Sequence, residues 1–269
     1  VEGRPTEACI GPIAYAETGA VERDCATLKA ALKGHRVEEA FLTAVAPAST
    51  AYDGVDEHYG NEHDYIYAIA DALREEYAAI HESGLLVQVD DAVLANMYDH
   101  LVQQSPEKYR QWAELRVEAL NHALSNIAPE QIRMHLCWGN YEGPHHHDVA
   151  LADIIDIVFL ARPAGISFEA ANPRHAHEWS LFEDVKLPDG KVLIPGVVES
   201  KTNFIEHPEL IAQRIARYAK LVGRENVIAG SDCGYGTWVG QAAVDPAVVW
   251  AKLSAMAEGA RLASREFWP

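Results

Sequence analysis

Arg133-Met134-His135-Leu136-Cys137-Trp138-Gly139-Asn140 is a short apolar run that ends in a histidine and a cysteine two residues apart. In a strand, residues i and i+2 leave the same face. His135 and Cys137 therefore point the same way, and imidazole beside thiolate is a zinc-type pair. Two later apolar runs close on residues of the same chemistry. Gly165-Ile166-Ser167-Phe168 runs into Glu169, and Val227-Ile228-Ala229-Gly230-Ser231-Asp232 runs into Cys233. On the residues alone two readings stand side by side: a metal set, or ordinary strand-end residues with cysteine as a small core hydrophobe.

Working outward, short buried-strand patterns recur near residues 41, 86, 134, 166, 194 and 228, and helical patterns lie between them. The clearest helix is expected from Glu62 to Ser83, with Ile66, Ile69, Ala70, Leu73, Tyr77 and Ile80 as its apolar stripe and Gly84 as its stop. Others are expected over Val21–Leu32, from Ser105-Pro106 to about Ile127, over Asp148–Ala161 and Pro208–Val222, and from Pro246 to about Phe267. Ala92–Gln104 reads as helical or mixed, residues 8–16 as a strand or hairpin arm, and residues 48–61 as a loop. Strand alternating with helix argues for a parallel sheet with βαβ crossovers. An open nucleotide-binding sheet lacks support, because neither GxGxxG at the first βα turn nor GxxxxGK[ST] occurs. Asp90, His135, Cys137, Glu169, Glu199 and Cys233 all fall at strand C-termini, which converge on one face of a barrel. The expected fold is α/β, a (β/α)8 TIM barrel of which this chain supplies about six βα units, as one catalytic domain over residues 1–269.

Composition narrows the function classes. The 269 residues are 49% hydrophobic and carry a formal net charge of −18. That excess of acid argues against nucleic acid or an anionic membrane as partner. No apolar run of about 18 residues suggests a membrane span, and the first residues show no basic-then-apolar leader pattern. Four cysteines in a chain of this length do not suggest a disulfide framework, so a cytoplasmic location is expected.

HLCWGN, SFEAANPRHAHEW, IPGVVES and VIAGSDCGYGT together resemble the catalytic barrel of the cobalamin-independent methionine synthase family. More narrowly they resemble its short single-barrel branch, which includes the epoxyalkane:coenzyme M transferases. The likeness runs from about Gly11 to the C-terminus. It implies zinc as cofactor, with His135, Cys137, Glu169 and Cys233 as ligands. It also places Asp90, in Asp90-Asp91-Ala92, where the family holds the amino group of homocysteine. Two departures matter. Lys201, in Glu199-Ser200-Lys201, stands where the synthases carry a proton-shuttling histidine. The family's first two βα units, with their Gly-Ser-Phe/Leu-Pro and Asp-Gly-Glu segments, are absent, so a companion N-terminal segment or a homo-oligomer is expected.

The other residues carry rival readings. Asp90 reads as a substrate contact or as a helix N-cap, and Asp91 as a cap or as a supporting group behind the site. Glu199 and Lys201 either assist proton transfer or pair with each other. His175, with Arg174 and His177, lines the site mouth or holds its loop. Asp232 reads as an orienting neighbour of Cys233. His145, His146 and His147 read as a solvated loop, because consecutive residues do not easily converge on one ion. Cys9 and Cys25 read as plain thiols.

The chemistry accounts for the set. A thiol has a pKa near ~8.5 and is mostly protonated at neutral pH, whereas zinc deprotonates a coordinating thiol. A carboxylate is a more exchangeable ligand than a third cysteine, so Glu169 is expected to yield to the incoming thiol. The expected activity is zinc-dependent S-alkyl transfer to a thiol presented as a zinc thiolate, as in methionine biosynthesis. Its partners are a small-molecule thiol such as homocysteine and an alkyl donor, methyl-folate or an epoxide. The alternatives are an epoxide:thiol transferase of the coenzyme M type and a degenerate zinc-binding scaffold.

Overall fold

The computed structural model describes residues 7–52, 54–96, 105–140, 143–146, 148–238, 240–242 and 244–268. Among these, strands β2 (Phe41–Val45), β4 (Leu86–Asp91), β5 (Ile132–Leu136), β6 (Gly165–Phe168), β7 (Val192–Val198) and β8 (Gly230–Ser231) form a six-stranded sheet in that order. The strand order follows the chain, and the pairings of β2 with β4, β6 with β7 and β7 with β8 are parallel. Such connections need long crossovers. The helices are α1 (Gly19–Ala31), α2 (Pro47–Ala51), α3 (Glu62–Glu82), α4 (Pro106–Ala123), α5 (Leu151–Leu160), α6 (Pro208–Val222) and α7 (Pro246–Phe267). Helices α2 to α6 lie between consecutive strands of the sheet, the 3-10 turn Glu178–Glu183 lies between β6 and β7, and α1 and α7 lie before β2 and after β8 in the chain. Two small pairings complete the list: β1 (Glu7–Cys9) runs parallel to β3 (Gly54–Asp56), and β9 (Gly236–Trp238) runs antiparallel to β10 (Gln241–Ala242).

Contacts divide the chain into two compact units, residues 1–135 with 156–164, and residues 136–155 with 165–269. In the first, the expected stripe of α3 is buried from Ile66 to Ile80. Each large aliphatic side chain there contributes roughly 1.5–3 kcal/mol of burial. Asn61 caps the helix by accepting from Asp64 N–H at 2.9 Å, and Gly84, at φ 86°, ends it. Tyr77 Oη donates to Val45 carbonyl at 2.6 Å, tying this helix to β2. Residues 48–61 depart from the loop expected of them. Pro47 opens α2 at a position where a missing N–H costs nothing, and Gly54–Asp56 pairs with Glu7–Cys9. Of the strand or hairpin arm expected over residues 8–16, a three-residue strand is present, Glu7–Cys9, and it ends before Gly11-Pro12.

In the second unit, Val197 and Val198 of β7 pack with Ile211, Ile215, Ala255 and Ala263 of α6 and α7. Gly259 permits this approach, since a Cβ there would lie 2.5 Å from Ile211. Helix α5 starts at Leu151, three residues later than expected, because Asp148 is engaged elsewhere and Glu178 accepts from Leu151 N–H at 2.7 Å. Helix α4 stops at Ala123 instead of Ile127. The strand expected from Val227 shrinks to Gly230–Ser231, with Val227 making an isolated bridge to Leu193. Of the expected Ala92–Gln104 segment, residues 97–104 lie outside the described residues. No helix among the described residues is long and apolar enough to cross a membrane.

Candidate metal centre

Strand β5 delivers the first two side chains. Ile132, Met134 and Leu136 are buried to anchor it, and His135 and Cys137, also buried, follow at its C-terminal end. Cys233 follows β8. Its Sγ lies 3.8 Å from Cys137 Sγ, and the ligand atoms of His135, Cys137 and Cys233 all lie within 4.8 Å of one another. Two sulfurs bound to one tetrahedral zinc at ~2.3 Å each would stand about 3.8 Å apart. The donor set and its spacing therefore fit a zinc-type ion. Gly139 N–H donates to Cys137 Sγ at 3.2 Å.

Glu169, completely buried at the end of β6, is not in that three-residue group. Its Oε1 accepts from Trp138 N–H at 3.2 Å. Its Oε2 accepts from Asn172 Nδ2 at 2.8 Å and from Arg174 Nη2 at 3.3 Å. Beside it, Asp232 ties the two strand ends together. Oδ1 accepts from the N–H groups of Ala170 and Ala171 (2.8 and 2.7 Å), and Oδ2 from the N–H and Nδ2 of Asn172 (2.8 and 3.0 Å). Burial pushes its carboxyl up to about 6, although these amides oppose the shift.

A charged cluster backs this loop. Asp148 lies 3.1 Å from Arg174 Nε, 3.3 Å from His175 Nε2 and 3.1 Å from His145 Nδ1. His175 Nδ1 faces Glu178 at 2.8 Å, and its ring meets Trp138 at a centroid distance of 4.3 Å. Burial pulls the His175 pKa down, but the hydrogen bonds to Asp148 and Glu178 outweigh it and hold the imidazole at about 9. Burial would raise the Asp148 carboxyl, yet His175, His145 and Arg174 bring it below its usual range. His145 is thus buried and paired, where a solvated loop was expected; His146 is exposed, and His147 lies outside the described residues.

Glu199 and Lys201 do not pair through their side chains. The Glu199 carboxylate accepts from Lys201 N–H (2.7 Å) and Thr202 N–H (2.6 Å), while Lys201 Nζ donates to Gly234 carbonyl at 3.1 Å. Glu206 accepts from Glu199 N–H and pairs with the fully buried Lys252 at 2.9 Å. Cys9 Sγ donates to Gly11 carbonyl at 3.2 Å, and Cys25 is buried.

In the first unit, Asp90 and Gln88 are two residues apart on β4 and share one strand face. Asp90 Oδ1 and Gln88 Oε1 are buried with no hydrogen-bond partner among the described residues. Burial raises the Asp90 carboxyl, and His135 counters it. Asp91 closes the turn that follows β4, accepting from Val93 N–H (3.2 Å) and Leu94 N–H (2.9 Å). The sequence reading missed Gln88, Asp148, Asn172 and Glu178. Strand alternation from Asp90 pointed to Gln88; the others carry no local signal.

The family model described as the cobalamin-independent synthase catalytic domain matches residues 47–260. The 2-hydroxypropyl-CoM lyase of Xanthobacter autotrophicus (strain ATCC BAA-1158 / Py2) is 24% identical over 273 residues, covering 91% of this chain and 66% of that protein. The methionine synthase of Thermococcus kodakarensis is 23% identical over 221 residues, covering 82% of this chain and 56% of that protein. The chain thus spans less than two thirds of the length of these relatives. The solved structure of a B12-independent methionine synthase from Shewanella sp. W3-18-1, in complex with selenomethionine, superposes with a TM-score of 0.74 at 18% identity. It covers 96% of this chain and 70% of that one. That likeness establishes the fold: an α/β chain supplying six strands of the TIM-barrel type.

Proposed function

This chain belongs to the family of cobalamin-independent synthase catalytic domains, and from that premise we propose that it is a zinc-dependent S-alkyltransferase acting on a small thiol. The observation that carries the reading is the 3.8 Å separation of Cys137 Sγ and Cys233 Sγ, with His135 completing the donor group. His135, Cys137 and Cys233 would hold the ion, and Glu169 would supply a fourth, exchangeable ligand. The ion supplies one thing: it lowers the pKa of the acceptor thiol, so that sulfur attacks as thiolate.

The remaining work falls to the chain. Gly139 N–H steadies the Cys137 sulfur. Asp232 fixes the loop that carries Glu169 by taking three of its backbone N–H groups. His175 has both ring nitrogens on carboxylates, so in this reading it is a positioning residue that holds Asp148 and Glu178 in place. Lys201 and Glu199 stand beside Gly234 and Thr202, where Lys201 is the group available to assist a leaving group. Attack then requires the alkyl donor in line with sulfur.

Asp90 and Gln88 favour an amine-bearing thiol such as homocysteine, with methyl transfer as the reaction. A buried acceptor pair needs a donor, and an ammonium supplies one. The second reading, an epoxide:thiol transferase, draws on the likeness to the 2-hydroxypropyl-CoM lyase. A sulfonate-bearing thiol would meet Asp90 with like charge. In the third, a scaffold with an inert zinc site, added thiol would not reach the metal.

The proposal treats residues 1–269 as one catalytic domain that completes its barrel with a companion segment or a second copy. Support comes from β2, at one end of the sheet, where Phe41 and Val45 are 38% and 40% exposed. Native mass spectrometry giving only a monomer, with β2 amides protected from exchange, would remove that part of the reading.

The test of the function is a zinc-edge X-ray absorption spectrum with and without homocysteine. A sulfur count that rises by one supports thiol activation. A shell unchanged by homocysteine and by coenzyme M leaves the inert scaffold.

A further inference from the structure

Glu169 has a second set of partners, and Arg174 is the one that carries charge. The carboxylate is completely buried, yet the His135, Cys137 and Cys233 group assembles without it. Its oxygens are taken by Trp138 N–H, Asn172 Nδ2 and Arg174 Nη2. Arg174 is itself fixed from behind. Its Nε lies 3.1 Å from Asp148 Oδ2 as an ion pair that lacks hydrogen-bond alignment, and its backbone N–H donates to Asn172 Oδ1 at 3.0 Å. Asp148 is held in turn by His145 and His175. The guanidinium is therefore set at one end of a braced row of charges and faces a buried carboxylate.

A buried carboxylate cannot leave a cation without a replacement, because an uncompensated charge in that place is costly. Resting on the function proposed above, we infer that Arg174 is a positioning residue. It offers the Glu169 carboxylate a second seat, with Asn172 and the Trp138 N–H, and so lets a thiol take the place of Glu169 on the metal. Without Arg174 the metal is the one cation left in direct contact with the Glu169 carboxylate in this reading, since the His175 imidazolium acts on it only through space. The ion is then held harder and the thiol admitted less. A purely structural ion pair would alter stability and leave both of these quantities alone.

The test uses the zinc-loaded chain, its Arg174→Met, Arg174→Lys and Glu169→Gln variants, and the Glu169→Gln/Arg174→Met double variant. Two quantities are read: zinc transfer to a chromophoric chelator, and the homocysteine concentration at which the sulfur count at the zinc edge rises. Arg174→Met should release zinc more slowly and need on the order of tenfold more thiol, the worth of one charge-assisted hydrogen bond. Arg174→Lys should recover part of both, since it keeps the charge and loses the fork between Asp148 and Glu169. With Gln at 169, removing Arg174 should change neither. The inference is overturned if Arg174→Met matches the wild type in both readouts, or if its effect persists in the double variant. If Arg174→Met does not fold, Arg174→Lys decides: a shift in the same direction supports the inference, and no shift overturns it. Failure of wild-type zinc protein to take up any thiol removes the proposed function and this inference together; normal uptake with unaltered variants removes the inference alone.

Discussion

Asp232 Oδ1 occupies the space that a side chain at Gly196 would fill: a Cβ at 196 would lie 2.0 Å from it. The glycine in β7 thereby allows a buried carboxylate to reach the N–H groups of Ala170, Ala171 and Asn172. Gly196→Ala should cost about 1–3 kcal/mol by overpacking and should lower zinc retention, because the Glu169 loop loses its clamp. Gly11→Ala, with open space around the added methyl, is the control. Urea unfolding with zinc stoichiometry reads both effects, and a Gly196→Ala protein as stable and zinc-replete as the control would refute the clamp.

The His175 cluster gives a signed pH dependence. Its pKa is raised from 6.5 to about 9 in the folded chain. For a base with a raised folded pKa, the contribution is fully present below 6.5 and is lost as pH climbs through 9. His175→Gln should therefore narrow its stability gap to the wild type between pH 6.5 and 9.5. Asp91 has the same sign in a lower window. Burial raises it to about 6, so its ionisation destabilises the fold as pH rises from about 4 to 6. Asp91→Asn should remove that fall. Denaturant midpoints across pH 4–9.5 test both, and parallel curves for variant and wild type would contradict the assignment.

How far the sequence reached can be read from particular elements. Helix α6 was legible to the residue and α7 from its first residue, because each opens with proline and α6 ends at Gly223. The α3 stripe was legible because burial on a helix repeats with its own period. The spacing of His135 and Cys137 was likewise legible, since strand geometry alone aligns them. The cluster around Asp148 was not. Asp148 and His175 are 27 residues apart and sit in different loops, and no local pattern encodes which loop side chains meet. The fate of Glu169 was hidden for the same reason, as its Arg174 partner depends on Asp148 bracing from another segment.

Metal content separates the cysteines. Cys137→Ser and Cys233→Ser should each abolish stoichiometric zinc, since hydroxyl is a poor substitute for thiolate. Cys9→Ser and Cys25→Ser should leave it at the wild-type level, as Cys9 turns to Gly11 carbonyl and Cys25 is buried on α1. Elemental analysis after desalting measures this directly. Equal zinc in all four variants would dissolve the proposed site.

The acceptor's second functional group is tested at β4. Asp90 Oδ1 and Gln88 Oε1 are buried acceptors without partners among the described residues, and each costs about 1–3 kcal/mol if it stays unsatisfied in the complex. An ammonium satisfies them; a sulfonate adds repulsion. Asp90→Asn should therefore raise the homocysteine concentration needed for thiol uptake by on the order of tenfold or more, and should leave uptake of a thiol without an amine unchanged or improved. Gln88→Leu should act in the same direction with smaller size, because it removes a neutral acceptor and not a charge. Thiol titrations followed at the zinc edge give the comparison. If Asp90→Asn weakens the amine-bearing and amine-free thiols equally, Asp90 shapes the strand end and does not read the amine, and the epoxide:thiol alternative regains its footing.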